Sequence, residues 1–532
     1  MDLQNADALE KLATRVEEAA RSTREGVRHF IEPARGTLRR ATSKRHHIVF
    51  GRRGSGKSSL LRKAAADLTV DRRPIAYVDL EPFKGHSYPD VLLSVLIATF
   101  REFEEWLKTA AINPSTKVSW WQRIWGSPPS RASFNRKQSM ELAASLAAEI
   151  ANLERQLHGA EDAELKVTTT AKQEDLASEE LSVGLSNALA SASAKANAGQ
   201  SQSSSEEIQE HYKRTKIDFL HRHIMDYQRL FQRMTSLSGG ESFLFLDDLY
   251  HIRRSDQPRT VDYVHRIAKN QGLWLKIGTI KHRSEWYVAG DPPMGVKLED
   301  DADEIDLDLT LEKYELAKDF LMRILKNFAA EVGLAPSQFL TDGAAERLVV
   351  ASGGVARDFL SIFRRSIDVA RERMRGASEA GGREKIGVED VNNAAGEYDS
   401  SKREEFQRDT SDDQQSLNVE FQKIRDFCLT EANCNCFLLD KDARGPEVQM
   451  IHELVDLKLL HLIRQRVTVK KGRAGKIYEA YMLDLSQYAG ARKRRGLSTI
   501  EFWKSEATKS LRRASLIYAI PGDPPTAKTV QS

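Results

Sequence analysis

Apolar and polar positions along this chain change period in a regular order. HHIVF (His46–Phe50) is a short apolar run and predicts a strand. SSLLRKAAADL follows with helical spacing, and PIAYVDL (Pro74–Leu80) predicts a second strand. Tyr88–Ala111 predicts a long helix. Further on, Phe243–Asp247, LWLKIGT (Leu273–Thr279) and IDLDLTL (Ile305–Leu311) predict a third, fourth and fifth strand. Strands alternating with helices predict an α/β fold with a parallel sheet and crossover helices.

Between the second and third strands the pattern breaks. Residues 112–205 look inserted. Leu142, Leu146, Ile150, Leu153 and Leu157 form one helical stripe, and Ile217, Leu220, Ile224, Tyr227, Phe231 and Met234 form another on a return helix. Together they predict a coiled helical insertion over 112–234. Between the stripes, NALASASAKANAG alternates Ala with mostly polar residues and favours neither helix nor strand. Residues 8–32 predict a helix ending near Pro33, so 1–45 is a helical N-terminal segment. The core then spans 46–311, a helical region 312–398, a polar linker 399–416, a mixed block 417–490 and a basic tail 491–532.

Bulk properties narrow the picture. The 532 residues suffice for several domains, and a net charge of +3 excludes a global basic field. Cys428, Cys434 and Cys436 are the only cysteines, an odd count that points to a reducing compartment. The charged, amphipathic N-terminus is unlike a signal peptide. VLLSVLIATF, the longest apolar run, has about half the length of a membrane span. The expectation is a cytoplasmic protein.

Two motifs carry chemistry. GRRGSGKSS (Gly51, Arg52, Arg53, Gly54, Ser55, Gly56, Lys57, Ser58, Ser59) fits G-x-x-x-x-G-K-[ST] between a strand and a helix. The glycines let backbone N–H groups curl around phosphates, and the helix N-terminus adds partial positive charge. Lys57 is placed to neutralise the β/γ-phosphates of ATP and Ser58 to ligate Mg²⁺. The blander alternative is a Gly-rich turn with a surface lysine. FLFLDD (Phe243–Asp248) supplies carboxylates at the end of a buried strand. Asp247 is expected in the Mg²⁺ shell, and Asp248 as the group that orients or deprotonates an attacking water. A helix-capping pair is the alternative. Upstream, LSGGE (Leu237–Glu241) matches the signature loop of ABC ATPases, but only Ser242 separates it from the strand. The helix that follows that loop in ABC proteins has no room, since two turns need about seven residues.

In their order these motifs resemble the AAA+/STAND group of P-loop ATPases. The likeness is greatest to the origin-recognition branch, in which an ATPase core and helical lid precede a winged helix. It extends over roughly residues 30–490, apart from the insertion. The resemblance implies a P-loop NTPase (ASCE/AAA+-like) core with an extra strand between the P-loop strand and Phe243–Asp248, and PIAYVDL as an outer strand. It implies that Thr279 is a sensor at the fourth strand's tip. It also implies that Arg357, in SGGVARDFL (Ser352–Leu360), reaches the γ-phosphate from the lid. A strand-end threonine and a surface arginine are the plain alternatives. Arg253, Arg254 and Arg283 are candidates for an arginine finger, none standing out. Oligomer formation is open, and the insertion departs from the minimal core of a standard ring.

Leu417–Leu485 resembles a winged helix, with Glu447–Leu457 as recognition helix and Arg473–Gly475 as wing tip. Between His461 and Arg513 there are fourteen basic residues against four acidic ones, a patch suited to double-stranded DNA contacted over 417–513. The helix EVQMIHELVDL is acidic and apolar, a poor base reader, so a winged helix used for protein contacts is the alternative. Trp120, Trp121 and Trp125 either anchor the insertion or contact a partner. The reading is a Mg-ATP-dependent switch on DNA. The runner-up is a STAND-type signalling ATPase whose insertion 112–234 or C-terminal block binds a protein.

Overall fold

The computed structural model describes residues 6–20, 30–70, 73–111, 135–179, 190–238, 240–376, 385–409, 414–469, 476–490, 496–504 and 506–520. Helix α1 (Ala6–Ala20) and the short α2 (Thr37–Ala41) precede strand β1 (His47–Phe50). Then follow α3 (Lys57–Val70), β2 (Ile75–Asp79) and α4 (Asp90–Ala111). The insertion contributes α5 (Arg136–Glu179) and α6 (Ala190–Leu237) before β3 (Ser242–Asp247), α7 (Gln257–Ala268) and β4 (Leu273–Thr279). A small hairpin, β5 (Tyr287–Val288) and β6 (Met294–Gly295), leads to β7 (Asp303–Asp306).

Strands β1, β2, β3, β4 and β7 form one parallel sheet in the order β2-β3-β4-β1-β7. β4 therefore lies between the P-loop strand and β3, where the resemblance placed an extra strand, and β2 is an edge strand. β1 and β3 are buried along their whole length, which is why they read as unbroken apolar runs rather than alternating ones. Lys276 is the exception in β4. It is fully buried and donates to the carbonyls of Ser43 (2.7 Å) and Arg45 (2.8 Å), and burial brings its pKa down to about 7.

The two sheet faces have separate cores. Leu60, Leu61, Ala64 and Leu68 of α3 cover one. On the other, α4 and α7 pack together with the insertion, whose stripe residues Leu142, Leu146, Ile150, Leu153, Leu220, Ile224, Tyr227, Phe231 and Met234 are all buried. The insertion is thus a layer of the core domain at its base. Its three tryptophans lie outside the described residues.

Four expectations change. The fifth strand stops at Asp306, because Asp308 turns to hold Arg52 while Leu309 and Leu311 cross into the next core. The helical region, α8 (Tyr314–Glu331), α9 (Asp342–Ser352), α10 (Ala356–Gly376) and α11 (Val388–Asp409), extends into the segment read as a linker, as far as Asp409. Asp399 and Lys402 are buried there. The C-terminal block comprises α12 (Gln414–Asp426), β8 (Cys436–Asp440), α13 (Pro446–Asp456), β9 (Leu460–Val467), β10 (Tyr478–Leu483) and the short α14 (Ala507–Leu511), with an antiparallel sheet in the order β8-β10-β9. The described part of the basic tail packs on this block: Ile500, Phe502, Leu516 and Tyr518 are buried, and Tyr518 N–H bonds Leu438 O at 2.8 Å. Finally, α1, the helical region and the C-terminal block share one continuous apolar core, where separate domains were expected. No described helix is long and apolar enough to cross a membrane.

Candidate functional site

Parallel register brings several strand ends to one edge. Phe50 is level with Thr279 and Asp306, and Asp79 with Asp247. Ligands of open α/β sheets sit outside such carboxyl ends. The loop after β1 curls here, with Gly54 (φ 88°) and Gly56 (φ 99°) in the left-handed region that suits glycine. At Gly54 a side chain is also excluded by contact, since a Cβ would lie 2.7 Å from that of Arg357. Arg357 N–H bonds Gly54 O at 3.2 Å, so the start of α10 rests on the loop.

Lys57 opens α3 and is 4% exposed. Its Nζ donates to Gly51 O (2.8 Å) and stands 3.8 Å from Asp248 Oδ1. Asp247 ends β3, is 2% exposed, and accepts a 2.6 Å bond from the Tyr77 hydroxyl on Oδ2. Ser58 lines the same cleft as this carboxylate, and its hydroxyl favours the charged form. Burial, then the neighbouring Asp248, pushes the Asp247 pKa up to about 6. Asp248 adopts φ 59° and ψ 50°, a left-handed conformation costing a non-glycine residue about 1 kcal/mol. Burial raises its pKa as well, opposed by Lys57.

These groups line one cleft of about 310 Å³. Arg53, Gly54, Gly56, Lys57, Ser58 and Ser59 form one wall, Asp247 and Asp248 the floor, and Arg357 projects from the helical region. A P-loop at one strand's end, a buried aspartate at the end of another and one strand between them decide the fold. It is that of a P-loop NTPase.

No family model matches this chain, and no curated protein does. Several solved structures are similar at low identity. The Aeropyrum pernix ORC1 protein in complex with DNA is 14% identical, with 86% of this chain and 91% of that one covered and a TM-score of 0.35. Cdc6p from Pyrobaculum aerophilum is 12% identical, covering 83% and 86%, with a TM-score of 0.29. A Walker-type ATPase of Pyrococcus abyssi is 12% identical, covering 84% and 91%, with a TM-score of 0.37. The assignment of the P-loop NTPase fold rests on strand order and site geometry.

Not every expected residue reaches the cleft. Arg52 points away, bonding Asp308 (3.1 Å) and Gly353 O (2.9 Å). The Ser55 hydroxyl is buried without a hydrogen-bond partner. Thr279 is buried at the tip of β4 with its hydroxyl bonded to Ser284, and does not line the cleft. Conversely, Arg62, Tyr77, Asp79, Glu81 and Tyr250 were not expected at or beside it. Asp79 left a signal: it ends a strand just as Asp247 does. LSGGE sits at the other end of β3, six residues or about 20 Å away, where Glu241 accepts from Arg73 at 2.6 Å.

A divalent cation fits the Ser58–Asp247 corner. Asp247 Oδ1 is buried without a hydrogen-bond partner, and a hard cation takes such oxygens together with water. Among the arginine-finger candidates, Arg254 bonds Glu453 (3.1 Å), Arg253 bonds Gly85 O (3.3 Å) and Arg283 lies over the Tyr250 ring (5.7 Å). The helix expected to read DNA, α13, faces inward. Asp456 accepts from His282 N–H (2.9 Å), and Gln449 donates to His282 O (3.0 Å). The expected wing tip, with Lys470 and Lys471, lies outside the described residues.

Proposed function

We propose that this chain is a Mg-ATP-binding and -hydrolysing switch whose output is its C-terminal block. The observation that carries this reading is the cleft in which Lys57 faces Asp248 while Asp247, Ser58 and Arg357 line the same walls. Lys57 and the loop amides bind the β/γ-phosphates. Ser58 and Asp247 hold Mg²⁺, which supplies charge neutralisation at the phosphate oxygens when bound. Asp248, held toward Lys57 by its left-handed backbone, orients the attacking water and accepts its proton. Arg357 reads the γ-phosphate from the helical lid. Thr279 is left out of the reacting set because it does not line the cleft. The test is nucleotide affinity beside turnover. Lys57→Ala abolishes binding or turnover, whereas Asp248→Ala slows turnover and spares binding. Equal loss of both by Asp248→Ala refutes this division of roles.

For the output we favour double-stranded DNA, held by the basic face of the C-terminal block. Arg464, Arg466 and Arg512 line one cavity of about 250 Å³ there. Affinity then falls steeply with salt and weakens in Lys470→Glu with Lys471→Glu. One observation favours the second reading, a signalling ATPase with a protein partner: the acidic α13 is already used for a protein contact. Absence of DNA binding even at low salt decides for it.

A further inference from the structure

We infer that Tyr77 is a positioning residue that fixes the orientation of the Asp247 carboxylate for the cation of the nucleotide complex. This rests on the Mg-ATP reading above. Tyr77 is level with Phe245 on the adjacent strand, so Asp247 is its diagonal neighbour on the same face of the sheet. That offset brings the phenol over the carboxylate, and its hydroxyl donates to Oδ2 at 2.6 Å. The ring is itself clamped. It stacks on Phe245 (centroids 6.0 Å apart, planes at 20°), and the Arg62 guanidinium lies 5.4 Å from its centroid.

The other carboxylate oxygen faces a position that must stay without a side chain. A Cβ built at Gly278 on β4 would come within 2.8 Å of Asp247 Oδ1. The carboxylate is therefore bonded by a donor on β2 and lies beside a position of β4 where only glycine leaves it room. A group that binds a cation largely through water depends on such orientation, because each water's position follows from the oxygen that holds it. Removing an outer partner of this kind typically costs 10–100-fold in metal affinity.

Tyr77→Phe keeps the ring, its stacking and the guanidinium beside it, and deletes the hydroxyl that donates to Asp247 and also interacts with Arg62. Binding of a non-hydrolysable ATP analogue is titrated with Mg²⁺, and Mn²⁺ bound to the same complex is followed by electron paramagnetic resonance. The expected result is that analogue affinity in EDTA is unchanged. The Mg²⁺ concentration for half-maximal enhancement rises about tenfold, Mn²⁺ binds correspondingly more weakly, and excess Mg²⁺ restores turnover. An unchanged Mg²⁺ requirement, or a loss that excess Mg²⁺ does not repair, overturns the inference. If wild-type protein binds no nucleotide at all, the Mg-ATP reading fails instead. Should Tyr77→Phe melt early, Gly278→Ala probes the same orientation from the other side. It raises the Mg²⁺ requirement if the inference holds and leaves it unchanged if not.

Discussion

The C-terminal block meets the rest of the molecule across two interfaces built on opposite principles. Against the helical region, Lys402 pairs with Asp484 (2.7 Å) and Lys458 with Asp358 (3.3 Å), and His461 within the block holds the same Asp484 (2.8 Å), every side chain at most 2% exposed. These charges lie in the apolar core shared with α1. Against the tips of β3 and β4, Arg254 pairs with Glu453 (3.1 Å) while Arg254 is 47% exposed, and the half-buried His282 pairs with the buried Asp456 (3.3 Å). Buried pairs cannot be parted without stranding a charge, whereas exposed pairs contribute little. The helical region and the C-terminal block are therefore tied more firmly to each other than the block is to the tips of β3 and β4. Asp358 directly follows Arg357, so the residue that enters the cleft is chained to one anchored in the C-terminal block. Gly353, whose carbonyl holds Arg52, has no room for a Cβ beside His461, which would lie 2.2 Å away.

The difference is open to direct attack, and the largest effect is expected at the buried side. Burial alone would raise the Asp484 pKa, but Lys402 and His461 hold it well below the usual carboxylate range. Asp484→Ala leaves Lys402 without its counter-charge and should cost about 3–5 kcal/mol in denaturant unfolding. The helical region and the C-terminal block should unfold in one transition, and two separate transitions would contradict this tie. Arg254→Ala should change stability by less than about 1 kcal/mol. It should still shift the distance between labels on the insertion and on α13 toward an undocked population. If it destabilises as much as Asp484→Ala, the distinction fails.

The smallest effect is a pH dependence of docking. Burial lowers the His282 pKa, but the bond and charge of Asp456 outweigh it and leave His282 above the ordinary histidine value of 6.5. Lys281, Asp308 and the neighbouring His452 also act on this cluster. A raised pKa means that the contribution is complete below 6.5 and is lost as pH rises through the raised value. Docking should thus loosen on the alkaline side. His282→Gln should flatten that dependence, and the same distance measurement reports both.

How far the sequence could be read follows the range of each interaction. Gly51–Ser59 between a strand and a helix, and Asp247 after FLFL, are local patterns, and both fall where their spacing put them. The insertion's two stripes were legible because helical periodicity needs no partner to be recognised. DSSKREEF looked like a linker because Asp399 and Lys402 are charged. They are buried through Ser486, Gln487 and Asp484, more than eighty residues away. EVQMIHELVDL looked like a poor reader of bases for a sound reason, its acidity, and that acidity is spent on Arg254 and His282.

By itself, then, the sequence determined the phosphate loop, the acidic strand end and the apolar seams, since each depends only on neighbours along the chain. Tertiary structure alone decided that Tyr77 grips Asp247, that Arg52 and Thr279 turn from the cleft, and that lid and C-terminal block share a core. The reason is physical: a polar side chain's role depends on which donor, acceptor or charge lies within about 3 Å, and distant segments supply it.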